Sequence, residues 1–296
     1  MNALLLLLAC NGGSKAPPVS VNDSCVAASF GYDDPSDDAK AGLDRTNCYR
    51  AIMGLASAQL EPHLDVASQN HAEYMATNGV ITHQEDDDLD DYSGEWVWDR
   101  AENAGYEWPN GTVMMETVSV GYGPEAAVDG WVNSVYHRLP FTSPELVETG
   151  FGQEERYSSM TFVAPFPYTK ASSVLYPVDG QVDVPTAFNS DQEVPDPAPD
   201  ATYVGPPITV SVGATSMPGT DQNPFNLQLS EASLEGPDGE VGLITLLPDD
   251  DPNLLYGLAL IPEEPLSPDS EYTLKIAYTW AGGDEDRETT FTTGAE

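Results

Sequence analysis

Residues 124–140 read PEAAVDGWVNSVYHRLP, and this stretch decides how the first half of the chain folds. Proline is favoured in the first turn of a helix and breaks one further along, so Pro124 and Pro140 predict where a helix begins and ends. The apolar residues between them follow helical spacing and predict a buried face: Val128, Trp131, Val132 and Val135. On that helix Ser134 would lie one turn before His137, so a hydroxyl and an imidazole could meet.

The preceding residues predict a mixed unit of helices and strands over 41–167. Apolar residues at helical spacing indicate a first helix through Leu43, Tyr49, Ile52 and Leu55, and a second through Leu64, Ala67, His71, Tyr74 and Met75. The pair Glu61-Pro62 fits the first turn of the second helix. Alternating residues at 149–152 and 159–164 predict two strands.

After Pro167 the helical period disappears, and residues 174–296 are predicted to form a separate all-β domain. Residues 272–280 alternate large apolar and other side chains, as a strand buried on one face does. Similar short runs occur at 208–212, 225–229, 241–247, 256–261 and 289–293. Such a series of short strands separated by Pro, Gly, Asp and Asn predicts a β-sandwich.

The charge of the chain limits its partners. Its 296 residues include 10 Lys+Arg and 49 Asp+Glu, for a formal net charge of −39. A surface this acidic repels nucleic-acid phosphates, so a nucleic-acid partner is not expected. It also repels anionic lipid headgroups, so we expect membrane contact only through an attached anchor.

The first residues predict export. The apolar run 4–8 ends in Ala9-Cys10 and is followed by Asn, Gly and Ser residues. This resembles the lipobox of bacterial lipoproteins, which implies a signal peptide at 1–9 and a lipid on Cys10. An ordinary secretory signal is the alternative. We expect residues 10–40 to form a lipid tether and an arm, on a protein of the cell envelope or extracellular surface.

With Cys10 lipidated, Cys25 and Cys48 remain as an even pair in an oxidising compartment. Neither lies in a Cys-x-x-Cys arrangement, so a structural disulfide is predicted instead of a redox or zinc site.

A set of short motifs in residues 41–167 resembles the CAP superfamily, the group of SCP, cysteine-rich secretory, antigen 5 and pathogenesis-related proteins, in its bacterial secreted branch. The most specific part is Trp131-x-x-Ser134-x-x-His137-Arg138. The other matching residues are Asn47-x-x-Arg50, Thr82-His83, Asp99-Arg100, Met115-Glu116-Thr117 and Gly150-Phe151-Gly152. The resemblance implies an α-β-α sandwich with a central cavity lined by histidines and glutamates.

Within that cavity, the resemblance implies that His83, Glu116 and His137 converge, with Ser134 nearby. The chain departs from the family where Met115 and Thr117 flank Glu116 in place of Gly and Asn. It also offers no match to a second glutamate, so only a three-residue set is implied. Two interpretations of that set stay open, a His₂Glu site for a divalent metal such as zinc and a hydrogen-bonded network without metal.

Other polar residues have simpler interpretations. No Gly-x-Ser-x-Gly nucleophile elbow occurs, and Ser134 is expected to hydrogen-bond within its helix. His71 is expected to be a satisfied histidine on a helix face. The acidic run 85–91 could bind Ca²⁺, but it lacks the spacing of a calcium loop and is expected to be a solvated loop.

The second unit resembles the Ig-like domains of bacterial surface proteins, on its opening Tyr176-Pro177, its Pro265-Leu266-Ser267-Pro268 and its closing Thr290-Phe291-Thr292-Thr293. Such domains act as spacers or adhesion modules. The sequence therefore predicts an α+β surface protein whose CAP-like domain binds a small molecule, a lipid or a peptide. A metal-assisted hydrolase acting on extracellular peptide or cell-wall material is the alternative, and a purely structural surface protein is a third.

Overall fold

A computed structural model describes residues 16–25 and 29–295 of the chain. The first part contains four helices: α1 Asp37–Ile52, α2 Pro62–Asn78, α3 Val97–Asn103 and α4 Pro124–Val132. Its four strands are β1 Gln59–Leu60, β2 Thr112–Val120, β3 Glu148–Glu154 and β4 Tyr157–Pro165. They form one sheet in the order β1-β3-β4-β2, in which β1 runs parallel to β3 and the other pairs are antiparallel.

Local signals explain where the helices begin and end. The Ser36 side chain accepts a hydrogen bond from the Ala39 N–H at the start of α1. Glu61 does the same for the Leu64 N–H at the start of α2, where Pro62 occupies the first turn. That helix ends at Gly79, whose φ of 65° lies in the left-handed region that glycine tolerates.

The sheet lies between two layers of helices. Strand β3 turns Phe151 toward α1 and α4, and β4 turns Met160 and Phe162 the same way, into a cluster with Leu43 and Trp131. On the opposite face, Leu64, Ala67, Val97, Ala101, Met114 and Val163 pack together. Residues 37–165 thus form the three-layer arrangement expected from the resemblance.

The close approach of α2 to β3 depends on two glycines. A Cβ atom added at Gly150 would lie 2.1 Å from the carbonyl carbon of Leu64, and one at Gly152 would lie 2.2 Å from the backbone nitrogen of Gln69. Both positions therefore exclude any side chain. This is the structural reason for the Gly150-Phe151-Gly152 sequence, in which only the middle residue faces the other layer.

The described residues after 170 form two larger sheets and a short pair. Their strands are β5 Ser172–Tyr176, β6 Gln181–Val184, β7 Phe188–Asn189, β8 Tyr203–Val204, β9 Ile208–Gly213, β10 Gln228–Gly236, β11 Gly239–Val241, β12 Leu243–Leu246, β13 Gly257–Pro262, β14 Glu271–Trp280 and β15 Gly283–Thr293. One sheet has the order β11-β10-β14-β15-β6, another β12-β13-β9-β5, and β7 pairs with β8. One hydrophobic cluster contains side chains from both larger sheets, among them Val210, Leu260, Leu274 and Phe291.

Several predictions about elements are confirmed and others are wrong. Every second residue of β14 from Tyr272 to Trp280 is buried, as the alternation predicted. Residues 241–247 do not form one strand, because the chain leaves one sheet after Val241 and enters the other at Leu243. The predicted strand at 225–229 begins at Gln228 instead, although Phe225 and Leu227 are still buried in the core.

The predicted disulfide is confirmed. Cys25 and Cys48 are bonded, with 4.2 Å between their Cα atoms, so the N-terminal arm is attached to α1. Cys10 lies outside the described residues, and its lipidation stays a prediction.

The prediction that one helix runs from Pro124 to Pro140 is wrong, because α4 ends at Val132. Arg138 turns its side chain back, and its Nε donates to the Val132 carbonyl at the end of the helix. The same guanidinium donates to the Pro207 carbonyl at 2.7 Å, just before β9. The turns at 133–142 therefore contact the second part of the chain, where Thr142 Oγ1 lies 2.6 Å from Ser211 Oγ.

Replacing Gly150 by Ala should lower the free energy of unfolding by about 3 kcal/mol, because the new methyl group would overlap the backbone of α2. Gly130 on α4 is the matched control, since a Cβ there meets nothing within 4 Å. Gly130→Ala should be neutral or stabilise by about 0.5–1 kcal/mol, as alanine does in helices. Urea unfolding of both variants checks this, and equal stability of the two would contradict the packing described.

Candidate functional site

Glu116 lies at the centre of a charged cluster, between the first sheet and the layer of helices that contains α2 and α3. Strand β2 carries it opposite Thr161 of β4, and its side chain is almost fully buried. Arg100 of α3 donates from Nη2 to Glu116 Oε1 at 2.6 Å. His83 Nδ1 lies 2.9 Å from the other carboxylate oxygen. The buried carboxylate therefore has a cation on one side and an imidazole on the other.

A second carboxylate, that of Glu85, belongs to the same cluster and lies 3.7 Å from Arg100 Nε. It accepts hydrogen bonds from the Ser93 N–H at 2.6 Å, the Ser93 hydroxyl at 3.0 Å and the Gly94 N–H at 3.2 Å. His71 Nδ1 lies 2.7 Å from Glu85 Oε1, and His71 Nε2 lies 2.8 Å from the Thr82 carbonyl. A carbonyl only accepts, so Nε2 of His71 is the donor to Thr82, and the ring is held between this carbonyl and Glu85.

The surroundings of Glu116 keep it ionised. Burial alone would raise the pKa of its carboxyl, but the charge of Arg100, the hydrogen bond from His83 and the charge of His71 lower the pKa to about 2. A carboxylate with so low a pKa is a poor general base near neutral pH. Glu116 therefore orients His83, whose side chain is 49% exposed and is the part of the pair that solvent reaches.

His137 does not join this cluster, contrary to the expected convergence. Its Nδ1 lies 2.9 Å from Oε1 of Glu193, a buried residue of the following segment. Because α4 ends at Val132, His137 lies in the turns that follow the helix. The structure thus brings His83 and Glu116 together and places His137 in a different contact.

The residues do not fit the expected zinc site. Among residues 16–25 and 29–295, His83, Glu116 and His137 offer no set of ligand atoms within 4.8 Å of one another. The one such group of three in those ranges is Asp86, Asp87 and Asp88, all exposed on the acidic run. Exposed aspartates without a buried ligand or a shaped loop do not define a metal centre.

Ser134 is not activated as a nucleophile. Its hydroxyl donates to the Trp131 carbonyl at 2.9 Å, so its hydrogen is engaged with the backbone. This is the within-helix bonding that the sequence led us to expect, made here in the turn directly after α4.

Ser134 and His137 do line a cleft of about 580 Å³. The lining includes Ile81, Val118, Val120 and Trp131 of the first part and residues within 185–193 of the second. A volume of this size falls within the range of small-molecule sites, and the walls are mainly apolar.

Sequence reasoning missed three residues that the structure makes important. The sequence predicts a solvated acidic loop at 85–91, yet the side chain of Glu85 is fully buried. The sequence places Arg100 in a family motif but predicts no contact for it. Glu193 lies 56 residues beyond His137, and no local pattern joins them.

Comparison with known proteins agrees with the fold of the first part. Residues 43–166 match the sequence model of the CAP family, described as the cysteine-rich secretory protein family. The chain therefore contains a CAP domain at residues 43–166. No protein of curated function matches the chain.

Three solved structures are similar over less than half of the chain. One is an extracellular protein containing a SCP domain from Bacillus anthracis (18% identity, 43% of this chain, 40% of that chain, TM-score 0.38). Another is an outer surface protein from Borrelia burgdorferi (16% identity, 45% of this chain, 96% of that chain, TM-score 0.37). The third is a cysteine-rich secretory protein from Staphylococcus aureus (17% identity, 44% of this chain, 41% of that chain, TM-score 0.33).

Glu116→Gln should lower the free energy of unfolding by about 3 kcal/mol at pH 7, because it removes the carboxylate that Arg100 contacts at 2.6 Å and leaves the buried guanidinium with Glu85 at 3.7 Å. The folded-state pKa of Glu116 is about 2, below its ordinary value of 4.5. Its contribution is therefore present above pH 4.5 and is lost as the pH falls from 4.5 toward 2. The stability difference between wild type and variant should shrink over that interval.

The measurement is urea unfolding of both proteins at several pH values. Glu102→Gln is the matched control, since Glu102 is exposed on the same helix as Arg100. A difference that stays constant down to pH 2, or that Glu102→Gln reproduces, would contradict the assigned role of Glu116.

Proposed function

We propose that the chain is an exported bacterial surface protein whose CAP domain is a binding module. The cleft of about 580 Å³ beside Trp131 is the observation that supports this most directly. Its lining combines apolar side chains with polar groups, among them Ser134 and His137. Sites that hold small molecules have this composition.

The polar groups of the CAP domain favour binding over hydrolysis. A hydrolase needs a nucleophile, or a metal-bound water, next to a group that can take its proton. The Ser134 hydroxyl is engaged with the Trp131 carbonyl, and the carboxylate of Glu116 is saturated by Arg100 and His83. His83 is then an oriented, half-exposed imidazole, suited to hydrogen-bonding a ligand.

The strands after residue 170 are proposed to be an Ig-like β-sandwich that acts as a spacer or adhesion module. The hydrophobic cluster shared by two sheets supports this assignment. Residues within 185–193 of this segment also line the cleft, so the proposed ligand-binding site combines the CAP domain with the start of the second part.

Export is supported by the disulfide between Cys25 and Cys48, since such bonds persist in oxidising compartments. Lipid attachment at Cys10 would hold the protein at the membrane surface. Within the described ranges, 16–25 and 29–295, the structure contains no helix of the length and hydrophobicity required to span a membrane.

The binding role can be tested by filling the cleft. Gly130 lines it, is exposed, and a Cβ atom added there meets nothing within 4 Å, so a larger side chain can start there without a clash. Gly130→Phe should therefore leave the fold intact while occupying the cleft, and should weaken binding of the neutral apolar dye Nile red at least tenfold. Dye fluorescence titration gives the affinity. A neutral probe is required because the net charge of −39 repels anionic dyes.

Ala126→Phe is the matched control, because Ala126 is exposed on the same helix and does not line the cleft. It should bind Nile red as the wild type does. If the wild type does not bind the dye, or if both variants bind it equally well, the cleft is not the binding site.

Lipid attachment has its own test. Mass spectrometry of the protein from membrane fractions should find a mature N-terminus at Cys10 carrying acyl chains, and Cys10→Ser should release the protein from the membrane. An unmodified N-terminus elsewhere removes the proposed anchor.

A further inference from the structure

The carboxylate of Glu193 is held by the turn that follows α4. Three successive backbone N–H groups donate to it: Val135 at 2.8 Å, Tyr136 at 2.7 Å and His137 at 3.1 Å. The His137 ring adds a fourth contact at 2.9 Å. The Glu193 side chain is 1% exposed, so water contributes little to its solvation.

These donors are available because of the way the chain folds before them. In a continued helix the N–H groups of 135–137 would bond to carbonyls one turn earlier. Since α4 ends at Val132, they point outward together instead. Successive N–H groups in a turn form a concave site for an anion. The His137 ring adds a further nitrogen that contacts the carboxylate and, when protonated, a positive charge.

The interaction favours the ionised form of Glu193. Burial alone would raise the pKa of this carboxyl, but the His137 ring and the N–H groups of Val135 and His137 lower it below its ordinary value.

Residues 185–193, here called the strap, end in this contact and form one wall of the apolar cleft. Its members that line the cleft are Pro185, Ala187, Phe188, Asn189, Gln192 and Glu193. Directly after Glu193 the chain turns outward, since Val194 is 87% exposed. The Glu193 carboxylate thus attaches the end of the strap to the turn 135–137 of the CAP domain.

We infer that the turn 135–137 is a carboxylate-binding site of the CAP domain, filled in this chain by Glu193 as a tethered ligand. The strap then covers the cleft from one side, and a carboxylate-bearing ligand enters this site only by displacing Glu193. This site consists of the turn and its donors, so it binds a carboxylate whether or not the cleft binds apolar molecules.

Tethering explains why Glu193 occupies the site. A residue attached by a short segment acts at an effective concentration that is commonly millimolar or higher. A free anion has no such advantage, and it must also approach a chain of net charge −39. Removing the tethered carboxylate should therefore expose a site that small carboxylates fill at high concentration.

The test is rescue of Glu193→Ala in the full chain by acetate at pH 7. Thermal unfolding is measured in sodium acetate and in sodium chloride of equal ionic strength. Acetate should raise the melting temperature of Glu193→Ala by about 2 °C or more relative to chloride, as binding to the folded state does. The wild type should show no difference between the salts, because its site is occupied.

Asp191→Ala is the matched control, since it removes an exposed carboxylate two residues away. It should behave as the wild type does. Repeating the titration with a peptide of residues 185–195 in place of acetate separates two ligand sources. If the peptide reaches half of its effect at a lower concentration than acetate does, the site recognises an acidic peptide. If the two concentrations are equal, the site recognises the carboxylate group alone. An acetate effect that is absent from Glu193→Ala, or equal in the wild type, overturns the inference.

If Glu193→Ala does not fold, Glu193→Gln provides the decision. Its amide keeps the size of the side chain and one acceptor oxygen but lacks the charge. The melting temperature should be lower than that of the wild type in chloride and should rise in acetate. A Glu193→Gln protein as stable as the wild type, with no response to acetate, also overturns the inference.

Discussion

The guanidinium of Arg138 is the contact on which both parts of the structure depend. It is 1% exposed and donates to the Val132 carbonyl that ends α4 and to the Pro207 carbonyl that precedes β9. It also lies 4.6 Å above the ring centre of Tyr176. Burial lowers the pKa of Arg138 to about 10, so it stays charged at neutral pH. A buried cation is stable only when its donors are occupied, and here the partners come from both sides of the domain boundary.

The family resemblance implies that His83, Glu116 and His137 converge. The structure separates them: His83 contacts Glu116, whereas His137 lies beyond the end of α4 and contacts Glu193. A helix that continued to Pro140 would place Ser134 and His137 one turn apart on one face. Instead α4 ends at Val132, whose carbonyl accepts from Arg138, the N–H groups of 135–137 donate to Glu193, and His137 contacts Glu193 as well. The result is two polar sites in place of one: a buried charged cluster around Glu116, which ends in the exposed ring of His83, and a carboxylate site at the cleft.

Features with local causes could be predicted from the sequence. Helix α2 has its capping residue, its proline and its apolar stripe within 17 residues, and β14 shows its alternation directly. The disulfide followed from counting cysteines. The end of α4 could not be predicted from local sequence, because the residues after Val132 bond to distant parts of the chain: Arg138 donates to the Pro207 carbonyl, 69 residues away, and the N–H groups of 135–137 donate to Glu193. The roles of Glu85 and Glu193 could not be predicted for the same reason. The residues next to a glutamate in the sequence do not indicate which distant donors will bond to it.

Three of the few cations of the chain are buried. Arg50, Arg100 and Arg138 are at most 1% exposed, and they are three of only 10 Lys+Arg residues. Each donates to backbone carbonyls, and Arg100 also to Glu116. The solvent-facing surface is therefore left with little positive charge against its many carboxylates, so an anion in solution is repelled before it reaches either site. This constraint favours neutral ligands for the cleft. It also favours an anion supplied by the chain itself at turn 135–137, where backbone dipoles and one histidine ring provide the attraction that surface cations do not.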